Sequence, residues 1–184
     1  GTAATQDVFI EHVGMPILAC IPQAVKALQD LGMHRKVQLI VSGGIRTGAD
    51  VAKAMALGAD AVAIGTAALI ALGDNDPKWE EEYQKLGTTA DAYDDWHEGR
   101  DPAGITTQDP ELSKRFDPVL GGRRLKNYLK VMTLEAQTIA RACGKNHLHN
   151  LEPEDLCSLT IEAAAMAGVP LAGTNWIPGR NGGF

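Results

Sequence analysis

Two short glycine turns each follow an apolar run, one at Ser42-Gly43-Gly44 and the other at Gly65-Thr66-Ala67. A phosphate group is bound by several backbone N–H donors that converge on one point, with little side chain in the way. A glycine turn that follows a buried strand and leads into a helix provides such donors. The pair of turns therefore predicts a phosphate-binding site. The alternative is that the glycines only permit tight turns, which is the better interpretation for a single turn than for two turns at this spacing.

Arg46 lies two residues beyond the first glycine turn. Its guanidinium could add a positive charge to a phosphate site, or it could pair with a nearby carboxylate. Both interpretations stay open at the level of the sequence.

The elements around the turns alternate between helix and strand. Helical spacing begins near residue 21 and stops at Gly32, an apolar β-branched run covers 36–44, a helix covers 47–59, and a second buried strand covers 60–68. A further helix starts over 67–72. Short connections in this order predict an α/β fold with parallel strands and crossover helices. The two turns would then lie at the carboxyl ends of neighbouring strands, where the last two loops of a (β/α)8 barrel form a common phosphate site.

The composition excludes some classes of function. The chain has 184 residues, of which 45% are hydrophobic, enough for one sizeable core. Its net charge of −6 argues against binding to nucleic acid or to an anionic membrane surface. No apolar run is long enough to span a bilayer. The chain starts at Gly1 within a loop-like segment, and we expect it to be a piece of a longer protein.

The cysteines and the changes in composition give two further expectations. Cys20, Cys143 and Cys157 are odd in number and widely spaced, which is typical of reduced core thiols in a cytosolic protein. Composition divides the chain into three parts. Residues 1–73 would be the last βα units, 74–116 an acidic excursion with one or two helical turns near 78–86, and 117–184 a helical extension. That extension would contain a long amphipathic helix over 117–145, a second helix over 151–169 and an irregular tail.

Several polar residues outside the turns were considered as ligands. The excursion contains side chains that can bind metals, Asp94, Asp95, His97, Glu98 and Asp101, but their spacing matches no metal motif and a solvated acidic loop is the favoured interpretation. No metal site is predicted. His147 and His149 are interpreted as structural, with substrate contact as the alternative. Glu154 and Asp155 are interpreted as the start of a helix.

The segment "SGGIRTGADVAKAMALGADAVAIGTAALIALG", residues 42–73, closely resembles the end of the flavin-binding synthase domain of glutamate synthases. The resemblance extends back to "GTAATQ" at 1–6. It extends forward through "GITTQDPEL" at 104–112, "RACGK" at 141–145 and "HNLEPEDL" at 149–156, so it covers most of the chain.

This resemblance implies the C-terminal part of an FMN-dependent (β/α)8 TIM barrel, followed by a helical C-terminal extension. It implies that the two turns hold the phosphate of FMN, through Ser42, Gly43, Gly44, Arg46, Gly65, Thr66 and Ala67. It also places the loop that contains Gly1, Thr2 and Ala3 near the flavin and the substrate. The strands that precede this segment would supply the substrate-binding charges, so no catalytic residue is identified.

In glutamate synthases three cysteines after the barrel bind an iron–sulfur cluster. The corresponding positions in this sequence are Asp74, Trp96 and Asp101, and no cysteine lies between Cys20 and Cys143. Clusters of this kind depend on thiolate ligands. The spacer from residue 74 to residue 96 is also much longer than that of the family. The sequence therefore predicts that this chain binds no iron–sulfur cluster.

Without a cluster, one route for electrons to the flavin is missing. A glutamate synthase needs an external reductant, whereas amine exchange on glutamate needs none, because a hydride removed from glutamate can be returned after the exchange. Within the family, this favours a resemblance to the large subunit of methylamine–glutamate N-methyltransferase, also called N-methylglutamate synthase. That enzyme converts methylamine and L-glutamate to N-methyl-L-glutamate and ammonia.

The same resemblance implies a cytoplasmic hetero-oligomer, in which the chain assembles with amidotransferase-like and β-helix-like subunits. Two alternatives stay open. The first is a glutamate synthase that converts glutamine and 2-oxoglutarate to glutamate and receives its electrons in another way. The second is a non-catalytic scaffold subunit, which the two intact phosphate turns disfavour.

Overall fold

The structure is a computed structural model that describes residues 7–74, 76–86 and 99–180. The predicted substrate loop with Gly1, Thr2 and Ala3 lies outside these residues. So do Trp96, the candidate ligands from Asp94 to Glu98, and the end of the tail. The chain divides into two compact units. The first comprises Gly1–Gly14 and Gly65–Lys130, and the second comprises Met15–Ile64 and Val131–Phe184. The predicted division near residues 74 and 117 stays a prediction.

Two parallel strands form the sheet of the second unit. Strand β1 spans Ile40–Ser42 and strand β2 spans Ala61–Ala63, with Ile40 opposite Ala61 and Ser42 opposite Ala63. The predicted parallel pairing is confirmed, and the strands are shorter than the apolar runs suggested. The described residues form a mixed α/β chain that is mostly helical. The complete barrel stays a prediction.

Helices account for most of the regular structure of the described residues. The bounds, in chain order, are α1 Asp7–His12, α2 Ile17–Asp30, α3 Gly48–Ala56, α4 Thr66–Leu72, α5 Glu80–Leu86, α6 Pro110–Ser113, α7 Pro118–Ala142 and α8 Ile161–Ala167. Single 3-10 turns lie at Pro77–Trp79, Leu148–Asn150 and Pro153–Asp155. Within the described ranges, none of the helices combines the length and the apolar character that crossing a bilayer requires.

The core of the second unit lies between α2, α3, the sheet and α8. Ile21 of α2, Val41 of β1, Met55 of α3 and Ala167 of α8 belong to one cluster of buried side chains. Val41 is buried among these helices, but Ile40 is 65% exposed and both end residues of β2 are exposed, so the prediction of buried strands is wrong for most of their residues. Because the two strands are parallel, both end at the same edge of the sheet.

Helix α7 is amphipathic as predicted, but it buries one methionine and two alanines while leucines of the same helix are exposed. Met132, Ala136 and Ala140 are buried at a spacing of four residues, whereas Leu129 and Leu134 are 41% and 48% exposed. Gly48, at the start of α3, explains this face. A Cβ atom on Gly48 would lie 2.3 Å from the Met132 carbonyl oxygen and 2.6 Å from the Ala136 backbone nitrogen. The two helices therefore approach at backbone distance.

The predicted helix over 151–169 is wrong in its first half. Pro153–Asp155 forms one 3-10 turn, in which Asp155 Oδ2 accepts a hydrogen bond from the Glu152 backbone N–H at 2.9 Å. The chain then extends, and the Ser158 N–H donates to the Pro170 carbonyl at 2.8 Å. This bridge uses backbone groups that a continuous helix would need. Helix α8 starts only after Thr160, whose hydroxyl accepts from the Ala163 N–H.

All three cysteines are free thiols. Cys20 and Cys143 are half-buried, and Cys157 is exposed. The prediction of core thiols is therefore wrong for Cys157, because it lies in the extended stretch ahead of α8 rather than within a helix.

Candidate functional site

The first glycine turn follows β1 directly. Gly43 has a φ of +130° and Gly44 a φ of +66°, backbone conformations that favour glycine. Among the described residues, no atom lies within 4 Å of a Cβ built on either glycine. The backbone conformation of the turn therefore explains both glycines, and the space above the turn is open.

Protein groups already occupy the donors at the start of α3. Asp50 Oδ2 accepts from the Arg46 and Thr47 backbone N–H groups at 3.0 Å and 3.1 Å, and Thr47 Oγ1 accepts from the Asp50 N–H at 3.3 Å. The Gly48 N–H donates to Glu135 Oε2 at 2.7 Å. The capping box of Thr47 and Asp50, together with Glu135 from α7, places two carboxyl groups at the helix start. A phosphate at this turn would therefore contact the residues that precede Arg46 rather than the first turn of α3.

The structure places the Arg46 side chain beside a carboxylate. Its Nε lies 3.9 Å from Asp50 Oδ2, and its side chain is 78% exposed. An exposed pair at this distance is weak. Of the two partners considered from the sequence, a phosphate or a carboxylate, the structure shows the carboxylate of Asp50. The Arg46 side chain is still largely exposed.

The second glycine turn begins α4 and differs from the first. Gly65 precedes Thr66 and Ala67 with a φ of −117°, outside the left-handed region, and no side chain caps the helix start by a hydrogen bond. Among the described residues, nothing lies within 4 Å of a Cβ on Gly65. Crowding by these residues does not require glycine here. Its φ is negative, but its ψ of −91° lies outside the main regions that other residues adopt, and close approach of a ligand to the backbone would also favour glycine.

A buried cluster joins two of the positions that correspond to cluster-binding cysteines. Tyr83 Oη, on α5, lies 2.7 Å from Asp74 Oδ1 and 3.0 Å from Asp101 Oδ1. All three residues are at most 3% exposed. Asp74 is positioned by the end of α4, where Gly73 has a φ of +118° and the Asp74 N–H donates to the Leu69 carbonyl at 3.0 Å.

Asp101 organises the loop that follows it. Its Oδ1 accepts from the Ala103 N–H at 2.9 Å, and its Oδ2 accepts from the Ile105 and Thr106 N–H groups at 2.7 Å and 2.8 Å. Asp101 is therefore a buried side chain that holds residues 103–106 in place.

Residues around this cluster tie α5 to the same loop. Arg115 Nη1 donates to Glu82 Oε2 at 2.8 Å and to the Pro102 carbonyl at 3.1 Å, and its guanidinium lies over the Trp79 ring at 4.9 Å. The Thr107 hydroxyl donates to the Gly99 carbonyl. Among the candidate ligands, the described Asp101 is thus buried rather than part of a solvated acidic loop, and helix α5 lies where helical turns were expected near 78–86.

Burial raises the pKa of Tyr83 far above its ordinary value of 10.0, and its contacts with Asp74 and Asp101 raise it further. A raised pKa in the native state stabilises the fold at every pH below the unfolded value, and this stabilisation is lost as the pH rises above about 10. We expect Tyr83 to stay un-ionised in the native protein at a pH where exposed tyrosines ionise. Alkaline absorbance titration of the wild type and of Tyr83→Phe measures this. Equal tyrosinate absorbance changes in the native proteins are expected, and a larger change in the wild type would contradict the burial of this phenol.

The two candidate histidines lie at the opposite ends of the strands from the glycine turns. His149 Nε2 is 2.9 Å from the Asp60 carbonyl, immediately ahead of β2, and the rings of His147 and His149 stack with centroids 5.0 Å apart. Nearby, Lys145 pairs with Glu152 at 3.3 Å and Asp155 at 3.4 Å, and the bond to Glu152 is the main cause of its raised pKa. These contacts fit the structural interpretation of both histidines.

Metal ligation has no support within the described part of the chain. There, no three His, Cys, Asp or Glu side chains come together in a group that could hold a metal ion. The candidate ligands Asp94, Asp95, His97 and Glu98 lie outside that part.

Comparison with known proteins places these features in a family. The conserved region in glutamate synthase matches residues 1–77 and 91–146. The chain belongs to the glutamate synthase family. It is 87% identical over 180 residues to a glutamate synthase large subunit-like protein of Rhizobium meliloti, covering 98% of this chain and 41% of that protein. No solved structure matches the chain significantly.

Two more distant relatives carry specific activity names. The chain is 42% identical over 151 residues to an archaeal glutamate synthase [NADPH] of Methanocaldococcus jannaschii, which covers 82% of this chain and 26% of the relative. It is 30% identical over 151 residues to ferredoxin-dependent glutamate synthase 1 of Arabidopsis thaliana, covering 82% of this chain and 8% of the relative. The chain thus spans less than half the length of these relatives.

The family match also shows which part of the site sequence reasoning missed. Asp74 and Asp101 lie within the matched residues, whereas Tyr83 lies in residues 78–90, which the family region does not match. The sequence contained one signal for Tyr83: it lies in the stretch "EEEYQKL", where its neighbours are all polar or charged apart from Leu86. An aromatic residue among such neighbours on a short helix is a candidate for the buried side of that helix.

Proposed function

We propose that this chain forms part of an FMN-dependent enzyme of the glutamate synthase family, as the C-terminal part of a (β/α)8 barrel with a helical extension. One observation carries the proposal: in a chain of this family, two neighbouring parallel strands each lead into a glycine turn. Ser42 and Ala63, the last residues of the strands, are partners in the sheet. Turns that follow carboxyl ends of adjacent strands are where barrel enzymes bind phosphate.

The residues of the two turns fit a phosphate. Gly43 and Gly44 open the space after β1, and the absent side chain of Gly65 opens the space after β2. Ser42, Thr66 and Ala67 would contribute backbone or hydroxyl donors, and Arg46 would contribute charge from its exposed guanidinium. When bound, FMN would supply the acceptor and donor of a hydride. The contribution of this chain is to bind and orient the phosphate end of that cofactor.

The reaction we propose is the exchange of amines on glutamate. Methylamine and L-glutamate give N-methyl-L-glutamate and ammonia, a conversion with no net oxidation or reduction. It therefore needs no electron supply from outside, which agrees with the absence of cysteine at Asp74 and Asp101. The enzyme would act in the cytoplasm as a hetero-oligomer with amidotransferase-like and β-helix-like subunits.

A second candidate function is glutamate synthesis from glutamine and 2-oxoglutarate. The names of the archaeal and plant relatives favour it, because they are glutamate synthases that use NADPH or ferredoxin. This reaction needs a reductant in every turnover. Dependence of turnover on an added reductant therefore distinguishes the two enzymes.

Flavin content tests whether the chain serves an enzyme or a non-catalytic scaffold. The full-length subunit, purified from its native source, is denatured and the released cofactor is identified by chromatography against FMN. We expect FMN close to one equivalent per subunit. A subunit that is well folded, contains no flavin and does not bind added FMN would instead be a scaffold.

A further inference from the structure

We propose that Asp74, Tyr83 and Asp101 form a proton-sharing cluster, with Asp74 protonated, which replaces an iron–sulfur cluster as the tie between the end of α4 and the loop at 101–106. The proposal stands on the geometry of these three side chains. It does not depend on which reaction the enzyme catalyses.

Counting protons among the three oxygens leads to this inference. Tyr83 Oη lies within hydrogen-bonding distance of two carboxyl oxygens, at 2.7 Å and 3.0 Å. A phenol has one hydrogen to donate, and an ionised carboxylate only accepts. Two hydrogen bonds therefore require a second proton, carried by one of the two carboxyl groups. Two buried carboxylates that share a site favour such a proton, because a like charge nearby and the loss of water both oppose ionisation.

The backbone donors around Asp101 decide which carboxyl group carries it. Asp101 accepts three N–H groups, distributed over both of its oxygens. Protonation would cost it the hydrogen bonds that stabilise its charge. The Asp74 carboxyl O–H then donates a hydrogen bond to Tyr83 Oη, and the Tyr83 O–H donates a hydrogen bond to Asp101 Oδ1. The order of donation is Asp74 to Tyr83 to Asp101.

Charged side chains near the cluster have partners or positions of their own. Arg115 pairs with Glu82 and reaches the Pro102 carbonyl, and Arg124 lies beside Gly73. Burial and the two aspartates, not these arginines, raise the pKa of Tyr83.

The donor set does not fit an iron–sulfur cluster. Its members are two carboxyl groups and a phenol, hard oxygen groups, whereas such clusters depend on thiolates. These oxygens are also hydrogen-bonded to one another. Tyr83 comes from residues 78–90, which the family region does not match, and the two aspartates come from residues that it does match. The tyrosine lies between two positions at which the family resemblance implies cysteine.

Two amide variants of the full-length protein test the assignment. In Asp74→Asn the amide N–H can donate to Tyr83 Oη as the protonated acid does. In Asp101→Asn the amide NH2 group replaces an oxygen that accepts a backbone N–H. Two hydrogen-bond donors then face each other. We expect the equilibrium constant for unfolding to change by less than about threefold in Asp74→Asn and to rise at least about tenfold in Asp101→Asn. A larger effect in Asp74→Asn than in Asp101→Asn would overturn the assignment of the proton.

Infrared spectroscopy reads the proton directly and does not depend on the stability of a variant. In wild-type protein labelled with ¹³C-aspartate, a carbonyl band of a protonated aspartic acid should be present at pH 7 and disappear on unfolding. It should also be lost in Asp74→Asn. Absence of the band from the native wild type would overturn the proposal. So would iron and acid-labile sulfide in stoichiometric amounts after anaerobic purification.

Discussion

Gly48→Ala is expected to lower the free energy of unfolding by about 3 kcal/mol, at the upper end of the range for overpacked sites. The added Cβ would lie 2.3 Å from the Met132 carbonyl oxygen, 2.6 Å from the Ala136 nitrogen and 2.7 Å from Glu135 Cβ. Two of these atoms belong to the backbone of α7, so a rotamer change cannot relieve the overlap. Helices α3 and α7 would have to separate, which would also lengthen the hydrogen bond from the Gly48 N–H to Glu135.

Gly122→Ala is the matched control for this prediction. Gly122 lies within α7, and among the described residues nothing is within 4 Å of its Cβ position. Replacing a helical glycine by alanine without overlap stabilises a helix by about 0.5–1 kcal/mol. Urea unfolding of the full-length wild type and both variants measures the difference. If Gly48→Ala unfolds at the same urea concentration as Gly122→Ala, the close approach of α3 and α7 is wrong.

Gly65→Ala is expected to weaken FMN binding about tenfold, which corresponds to about 1.4 kcal/mol. The methyl group would occupy the open space over the turn, where we propose that the phosphate approaches the backbone. The same space is empty of described protein atoms, so the added methyl group overlaps none of them. Protein stability in the absence of flavin is measured in parallel, because Gly65 has a ψ of −91°.

Titration of the flavin-free full-length protein with FMN, followed by flavin fluorescence, measures this effect. Gly122→Ala again serves as the control and should bind FMN as the wild type does. Unchanged affinity in Gly65→Ala would show that the phosphate does not approach this turn. Loss of affinity together with lower stability would show that Gly65 is needed by the fold instead.

The parts of the fold that depend on local pattern could be predicted. Apolar runs that end in glycine identified β1 and β2, and the short connections between them predicted parallel neighbours. Thr47 and Asp50 form a capping box at the start of α3, as their spacing allows. The helix from residue 151 could not be predicted correctly, because Ser158 is held by Pro170 and Ala172, partners that no local pattern reveals.

The buried face of α7 shows a second limit of sequence reasoning. Periodicity favoured the large apolar side chains, yet the helix buries alanines, because a glycine from a helix far away in the chain packs against them. The buried cluster at Tyr83 likewise depends on contacts that the local sequence does not reveal. The absence of cysteine at Asp74 and Asp101 was visible in the sequence, but their meeting at Tyr83 depends on how α5 folds back onto the end of α4.

The family and the glycine turns together predict an enzyme, and the missing cysteines restrict its reaction. Relatives that reduce 2-oxoglutarate with ammonia from glutamine need a supply of electrons. In this chain, Asp74 and Asp101 replace two cysteines that the family resemblance implies, and we therefore expect it to lack the iron–sulfur cluster that would pass those electrons. Amine exchange on glutamate avoids that need, and for this reason the reductant is the critical variable in the assay.

The measurement that tests this account most directly is an assay of the native complex, purified with its full-length subunit, with isotopically labelled methylamine and L-glutamate and no external reductant. Mass spectrometry should detect labelled N-methyl-L-glutamate, formed together with ammonia. No labelled product, combined with glutamate formation from glutamine and 2-oxoglutarate once a reductant is added, would contradict the account and identify a glutamate synthase.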